Sequence, residues 1–168
     1  IDEMEKMLNE YLQFTSSSYI EKDEMFNLSE LIQNIIEKYN NKNISQDLVP
    51  RIYFNGRKNL VRRSLNNLID NALRYANKVE VKLNKKSTSL FITIDDDGPG
   101  FPLTLLDRLG EPYLSTRSRE KDHMGLGIFI SKTLLGRTHA QLFFKNRPDG
   151  GASVLVKWDR KTIEAENI

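Results

Sequence analysis

Between Lys58 and Ile94 the spacing of apolar residues changes once, and that change fixes most of what the chain can become. From Lys58 to Ala76, the residues Val61, Leu65, Leu68, Ala72 and Tyr75 recur at a period of about 3.6, which predicts a helix with one core-facing side. Directly afterwards Val79, Val81 and Leu83 alternate with Glu80 and Lys82, Asn84 to Ser89 reads as a turn, and Leu90 to Ile94 forms the next strand. This is the pattern of a hairpin with one buried face. A one-sided helix beside a one-faced hairpin requires two packed layers.

The flanking segments extend the same design. Asn27 is placed to cap a helix carrying Leu28, Leu31, Ile32, Ile35, Ile36 and Tyr39, which ends in the polar run Asn40 to Asn43. Arg51 to Phe54 has strand character, with Asn55-Gly56 expected to end it. A third helix is expected from Leu126 to Gly136. A second hairpin follows, from Gln141 to Lys145 and from Ala152 to Trp158, joined by the turn Asn146 to Gly151. The expected fold class is α+β: a two-layer α/β sandwich with a mixed, mostly antiparallel sheet whose open face is the more polar. Proline and glycine crowd residues 98 to 112, and the charged stretch Arg117 to Asp122 follows, so this region reads as a mobile segment.

At the amino end Ile1, Met4, Leu8 and Tyr11 are spaced by three and four, the stripe of a coiled-coil-like helix. It either docks on its own domain or leaves toward a partner outside this chain. Thr15 to Ser18 break the period with hydroxyls that compete for backbone hydrogen bonds. The expected division is a helix end at 1–15, a linker at 16–26, the main domain at 27–160 and a tail at 161–168. The opening Ile1-Asp2-Glu3 looks like a piece of something longer.

Composition excludes several classes. Of 168 residues, 39% are hydrophobic and 29% charged, as in ordinary globular proteins. The balance of 25 Lys plus Arg against 23 Asp plus Glu gives a net charge of +2, no argument for a nucleic-acid partner. The absence of cysteine removes disulfides, thiol nucleophiles and thiolate metal sites. No apolar run approaches the roughly 18 residues that cross a bilayer as a helix.

Four local features carry chemistry. Asn67, Asn71 and Arg74 sit at i, i+4 and i+7, on one rim beside the apolar face of the long helix. Asparagine is a mediocre helix former, so Asn66, Asn67 and Asn71 imply either a solvent face or a task. The task would be an amide oxygen for Mg²⁺ with Arg74 charge for phosphates. Second, Asp95-Asp96-Asp97-Gly98-Pro99-Gly100 closes a strand. It reads either as a solvated turn or as a carboxylate that accepts from adenine's amine and opposes guanine's carbonyl, with Gly98 and Gly100 allowing close approach and a hinge. Third, Gly125-Leu126-Gly127 opens a helix, where free amides favour an anion. Fourth, Gly150-Gly151 precedes the last strand and alone marks only a turn.

In their order these features resemble the catalytic and ATP-binding domain of sensor histidine kinases, within the superfamily that includes gyrase, Hsp90 and MutL. Asn67 to Tyr75 is similar to the N box, Asp96 to Gly100 to the G1 box, Glu111-Pro112-Tyr113 to the F-box region, Gly125 to Gly127 to the G2 box and Gly150-Gly151 to the last glycine box. The likeness covers about residues 27 to 158. Glu111 to Ser118, His123 to Gly127 and Ser131 to Leu135 look most like redox-responsive kinases of the RegB/PrrB type, while the first helix is equally reminiscent of osmosensor kinases.

The resemblance implies the Bergerat or GHKL ATP-binding fold, preceded by the end of a dimerisation helix, and the cofactors ATP and Mg²⁺. It implies that Asn71 ligands Mg²⁺, Asn67 and Arg74 contact phosphates, Tyr75 packs beside the nucleotide and Asp96 recognises adenine. Gly98 and Gly100 would border the base and Gly125, Leu126 and Gly127 the phosphates. Residues from about Phe101 to Met124 would form a lid with Thr116 and Arg117 at the nucleotide. His123 stands where the usual first glycine of the G2 box belongs, a departure from the pattern.

Hydrolysing relatives place a glutamate base where Asn67 stands, and an amide takes no proton at neutral pH, which implies phosphoryl transfer with little hydrolysis. His123 and His139 are followed by Met124 and Ala140 rather than by an acid, so the phospho-acceptor is expected upstream. Implied partners are the protein's own histidine phosphotransfer bundle, a response-regulator receiver domain and a second copy in a homodimer, with no nucleic acid. The domain is expected to be cytoplasmic, in a parent anchored in the inner membrane by a region upstream. Alternatives are a non-catalytic nucleotide-sensing or dimerisation module, and an ATPase or anti-sigma-type serine kinase of the same superfamily.

Overall fold

A computed structural model describes residues 21–40, 43–87, 89–109 and 126–159, together with the helical residues 5, 6, 8, 9 and 12. In chain order the elements are β1 (Glu24–Asn27), α1 (Leu28–Glu37), β2 (Ile44–Leu48), β3 (Tyr53–Gly56), α2 (Lys58–Tyr75), β4 (Val79–Lys86), β5 (Ser89–Asp96), a short 3₁₀ turn (Leu103–Arg108), α3 (Leu126–Gly136), β6 (Gln141–Asn146) and β7 (Ala152–Asp159). The main sheet has the order β2-β4-β5-β7-β6. Among the described residues only the β2–β4 pair is parallel. The expected mixed, mostly antiparallel sheet is therefore present.

Local chemistry explains most elements. Asn27 caps α1 through Oδ1, which accepts from Glu30 N–H at 3.1 Å, and Glu30 adds a negative charge near the positive end of the helix. Leu28, Leu31, Ile32 and Ile35 are buried on its inner side. In α2 the buried face is Leu60, Val61, Ser64, Leu65, Leu68, Ile69 and Ala72, while Tyr75, expected in the core, is half-buried. Arg57 provides no side-chain cap for α2. Glu21 does so from a distance, its carboxylate accepting from Asn59 N–H at 3.1 Å and Leu60 N–H at 3.3 Å.

The core lies between the helices and the inner face of the sheet. Trp158 is 1% exposed, meets the Phe54 ring edge-on at 5.0 Å and donates from Nε1 to Thr138 Oγ1 at 3.0 Å. Burying such a ring while satisfying its N–H avoids the penalty of an unpaired polar group. Helices α2 and α3 meet through Leu60, Ile130 and Leu134, and Ser131 Oγ donates to Ser64 O at 3.1 Å. The open face of the sheet carries Glu80, Lys82, Thr93, Asp95, Lys145 and Lys157, with Phe143 exposed among them.

Three local expectations need correction. The strand expected at Arg51–Phe54 lies at Tyr53–Gly56, with Asn55-Gly56 inside it. Arg51 has φ of 58°, and Ile52 is bonded to the start of α1, its C=O accepting from Leu28 N–H at 2.7 Å and its N–H donating to Ser29 Oγ at 3.1 Å. Residues 24 to 26, expected in the linker, form β1 and pair with β3 through Phe26 opposite Phe54. Strand β2 was not expected, and the hairpin strands run on to Lys86 and from Ser89.

Candidate nucleotide site

Three consecutive aspartates end β5, and strand alternation gives each a different task. Asp95 points to the open face, where its Oδ1 is buried without a hydrogen-bond partner. Asp96 points inward and is 2% exposed, its Oδ1 accepting from Gly98 N–H at 2.9 Å and Ala152 N–H at 3.2 Å. Asp97 turns back toward α2: its Oδ1 accepts from Asn77 N–H and Lys78 N–H, each at 2.8 Å. These bonds, that from Lys78 first, hold the Asp97 carboxyl below the usual carboxylate range. The segment that leaves the asparagine-bearing helix is thereby tied to the end of β5.

Close packing explains two of the glycines. A Cβ on Gly98 would stand 2.7 Å from the Tyr75 carbonyl oxygen, so only glycine lets the loop lie on the carboxyl end of α2. Gly151 has φ of 94°, and a Cβ there would fall 1.8 Å from the Asp96 carbonyl oxygen. The last glycine pair, a mere turn by sequence, is thus a backbone contact with the buried aspartate.

Asn67, Asn71 and Tyr75 are half-buried on α2 and Arg74 is exposed. No hydrogen bond ties the side chains of Asn67, Asn71 or Arg74 to another described residue. The contact of Ser64 with Ser131, and of Leu60 with Leu134, runs α3 antiparallel to α2. The amino end of α3, with Gly127, therefore faces the half of α2 that carries the asparagines, and the positive end of its dipole favours an anion there. On the opposite flank Tyr39 donates from its hydroxyl to Asp70 Oδ1 at 2.6 Å, and burial followed by this contact pushes the hydroxyl pKa up.

The structure thus joins Asp96, Gly98 and Tyr75 directly and sets Asn67, Asn71 and Gly127 on facing helices. Thr116, Arg117, His123 and Gly125 lie outside the described residues, as do Glu111 to Tyr113; of Leu126 only the helical backbone is described. Sequence reasoning missed Asp97, Asn146, Arg147 and Ala152, which act on the site through backbone groups. Two cavities lie elsewhere. One of about 710 Å³ lies between α1 and the start of α2, lined by Leu31, Ile35, Lys58 and Arg62, and one of about 510 Å³ is lined by Lys78, Asp95, Asp97 and Arg147. Neither is lined by Asn67, Asn71 or Asp96.

Helices over one face of a mixed sheet, with an inward aspartate at a glycine-lined strand end, make the chain a two-layer α/β sandwich domain. Residues 56–162 match the family described as histidine kinase-, DNA gyrase B-, and HSP90-like ATPase, and the chain belongs to that family. Among its relatives, the sensor histidine kinase GtrS of Pseudomonas aeruginosa is 28% identical over 167 residues, covering 98% of this chain and 35% of GtrS. The sensor histidine kinase RegB of Cereibacter sphaeroides is 38% identical over 94 residues, covering 51% of this chain and 20% of RegB. The chain thus spans about a third or less of the length of these relatives. The mycobacterial sensor histidine kinase MprB has the same fold, with a TM-score of 0.71 at 19% identity over 82% of this chain and 97% of that structure. So does the histidine kinase domain of the Escherichia coli osmosensor EnvZ, with a TM-score of 0.65 at 23% identity over 81% of this chain and 88% of that structure.

Proposed function

We propose that this chain is the ATP-binding catalytic domain of a two-component sensor histidine kinase. It positions Mg²⁺-ATP for transfer of the γ-phosphoryl group to a histidine on an upstream helix bundle, and thence to a response-regulator aspartate. One observation carries the reading. Asp96 is a buried carboxylate fixed by two backbone N–H groups, at the strand end that packs on the helix of half-buried, unpartnered amides.

In this reading Asp96 accepts from the exocyclic amine of adenine and opposes the carbonyl of guanine. Asn67 and Arg74 bind phosphate oxygens, Tyr75 lies beside the nucleotide, and Gly98 and Gly100 border the base. The amino end of α3, with Gly125, Leu126 and Gly127, faces the phosphates. Thr116 and Arg117 reach the nucleotide from the lid.

Asn71 offers its amide oxygen to Mg²⁺. Mg²⁺ keeps several waters and takes phosphate oxygens as ligands, so one amide oxygen from the chain is enough to complete its shell. When bound, the metal supplies charge stabilisation to the transferred group. The Asn67 amide can hydrogen-bond a water molecule but cannot take its proton, so the site favours transfer over hydrolysis. The ATPase is correspondingly disfavoured, and the presence of Asn71, Asp96 and both glycine motifs disfavours the non-catalytic sensor.

The parent is read as a membrane-anchored homodimer with this domain on its cytoplasmic side. No described helix is itself long and apolar enough to cross a membrane. The test is to mix this chain with ATP and a separately prepared histidine-bearing helical segment from upstream. Acid-labile phosphate is expected on that segment; phosphate on this chain alone overturns the reading.

A further inference from the structure

The turn between β6 and β7 grips both ends of the loop that follows Asp96. Asn146, the last residue of β6, accepts from Phe101 N–H through Oδ1 at 2.6 Å and donates from Nδ2 to the Phe101 carbonyl at 2.8 Å. One carboxamide thus pairs with both backbone groups of one residue, as a neighbouring strand would. Phe101 is 3% exposed, and its ring meets Phe144 edge-on at 5.9 Å. Gly100 has φ of 78°, and a Cβ there would stand 2.7 Å from Asn146 Oδ1. At the loop's other end Arg147 Nη1 donates to the Asp96 carbonyl at 3.0 Å. Ala152, the register partner of Asn146, holds the Asp96 carboxylate.

We propose that Asn146 is a positioning residue for nucleotide binding. Its carboxamide holds the Gly98–Phe101 backbone against the last hairpin and so fixes the direction in which Asp96 presents its carboxylate. This rests on the reading of Asp96 as the base-recognising group. Asn146 itself acts only through Phe101 and Gly100. The bond pattern separates this role from simple packing. An aspartate at this position keeps the acceptor for Phe101 N–H but sets a carboxylate against the Phe101 carbonyl. Protonation of that carboxylate restores an O–H donor, and with it the pattern of the amide.

The experiment is calorimetric titration of Mg²⁺-ATP into the unaltered chain, Asn146→Ala and Asn146→Asp, from about pH 8 down to about pH 4, where an ordinary aspartate is half protonated. Unfolding midpoints without nucleotide and amide hydrogen exchange at Phe101 are recorded on the same samples. Asn146→Ala is expected to weaken ATP about tenfold and to speed exchange at Phe101. Asn146→Asp is expected to be comparably weak at the alkaline end, and its ratio to the unaltered chain closes as pH falls. That ratio cancels the protonation of the nucleotide itself. Should Asn146→Ala not fold, Asn146→Asp, which keeps one bond, decides alone. A deficit in Asn146→Asp that is absent, or constant with pH, overturns the proposal. Faster exchange at Phe101 with unchanged ATP affinity overturns it while leaving the functional reading intact. An unaltered chain that does not bind ATP overturns both.

Discussion

Replacing Asp96 with asparagine should weaken ATP binding by about 10- to 150-fold while leaving the sandwich folded. The magnitude follows from two different jobs of one carboxylate. Inside the protein, Oδ1 accepts from Gly98 N–H and Ala152 N–H, and an amide oxygen can take over both. Toward the base, a charge-assisted hydrogen bond worth about 1.5–3 kcal/mol is replaced by an amide donor facing an amine donor. Alanine removes the acceptor as well. The two N–H groups are then left without it, at about 1–3 kcal/mol each. Asp96→Ala should therefore lose both stability and affinity, and Asp96→Asn mainly affinity. Calorimetry with Mg²⁺-ATP and Mg²⁺-GTP, alongside urea unfolding without nucleotide, separates the two. The ATP preference should also narrow in Asp96→Asn, because its amide can donate to the guanine carbonyl. Unchanged ATP affinity in Asp96→Asn, or a stability loss equal to that of the alanine variant, would refute the reasoning.

Other outcomes are equally specific. Asn71→Ala should abolish the Mg²⁺ dependence of ATP binding, read by titration with and without metal, and leave the unfolding midpoint nearly unchanged because the side chain bonds no other described residue. Tyr39→Phe removes the hydroxyl that donates to exposed Asp70 and should cost about 0.5–1 kcal/mol in urea unfolding. The Tyr39 pKa is raised in the folded state, so its contribution is complete at neutral pH and is lost only when alkali ionises it; the deficit of Tyr39→Phe should stay constant across neutral pH. Asp97 has the opposite sign. Its lowered pKa contributes stability that is present above the ordinary carboxylate pKa and lost as pH falls through the folded value, so the gap between the unaltered chain and Asp97→Asn should shrink in acid unfolding below about pH 4.

The parts legible from sequence were those whose pattern is local. The 3.6-period face of α2, the alternation in β4 and β5 and the bounds of α3 needed no knowledge of partners. Strand β2 was hidden because only Ile44 and Leu48 flank Ser45-Gln46-Asp47, and its partner β4 lies a whole helix away in sequence. Strand β1 was hidden by its charged neighbours and is fixed by the Phe26–Phe54 pair. In the site, Asp96 was a candidate because a carboxylate beside glycines has a recognisable chemistry. The tasks of Asp97, Asn146 and Arg147 were not legible, since each is directed at backbone N–H or C=O groups that no residue letter marks.

Glu21 gives the domain a handle. Its carboxylate clasps the first amides of α2, about 18 Å along a stiff rod from Asn71. A displacement of Glu21 is therefore carried along α2 as along a single rigid element. Whatever shifts Glu21 shifts one end of the element whose other half bears Asn71, the amide proposed for Mg²⁺.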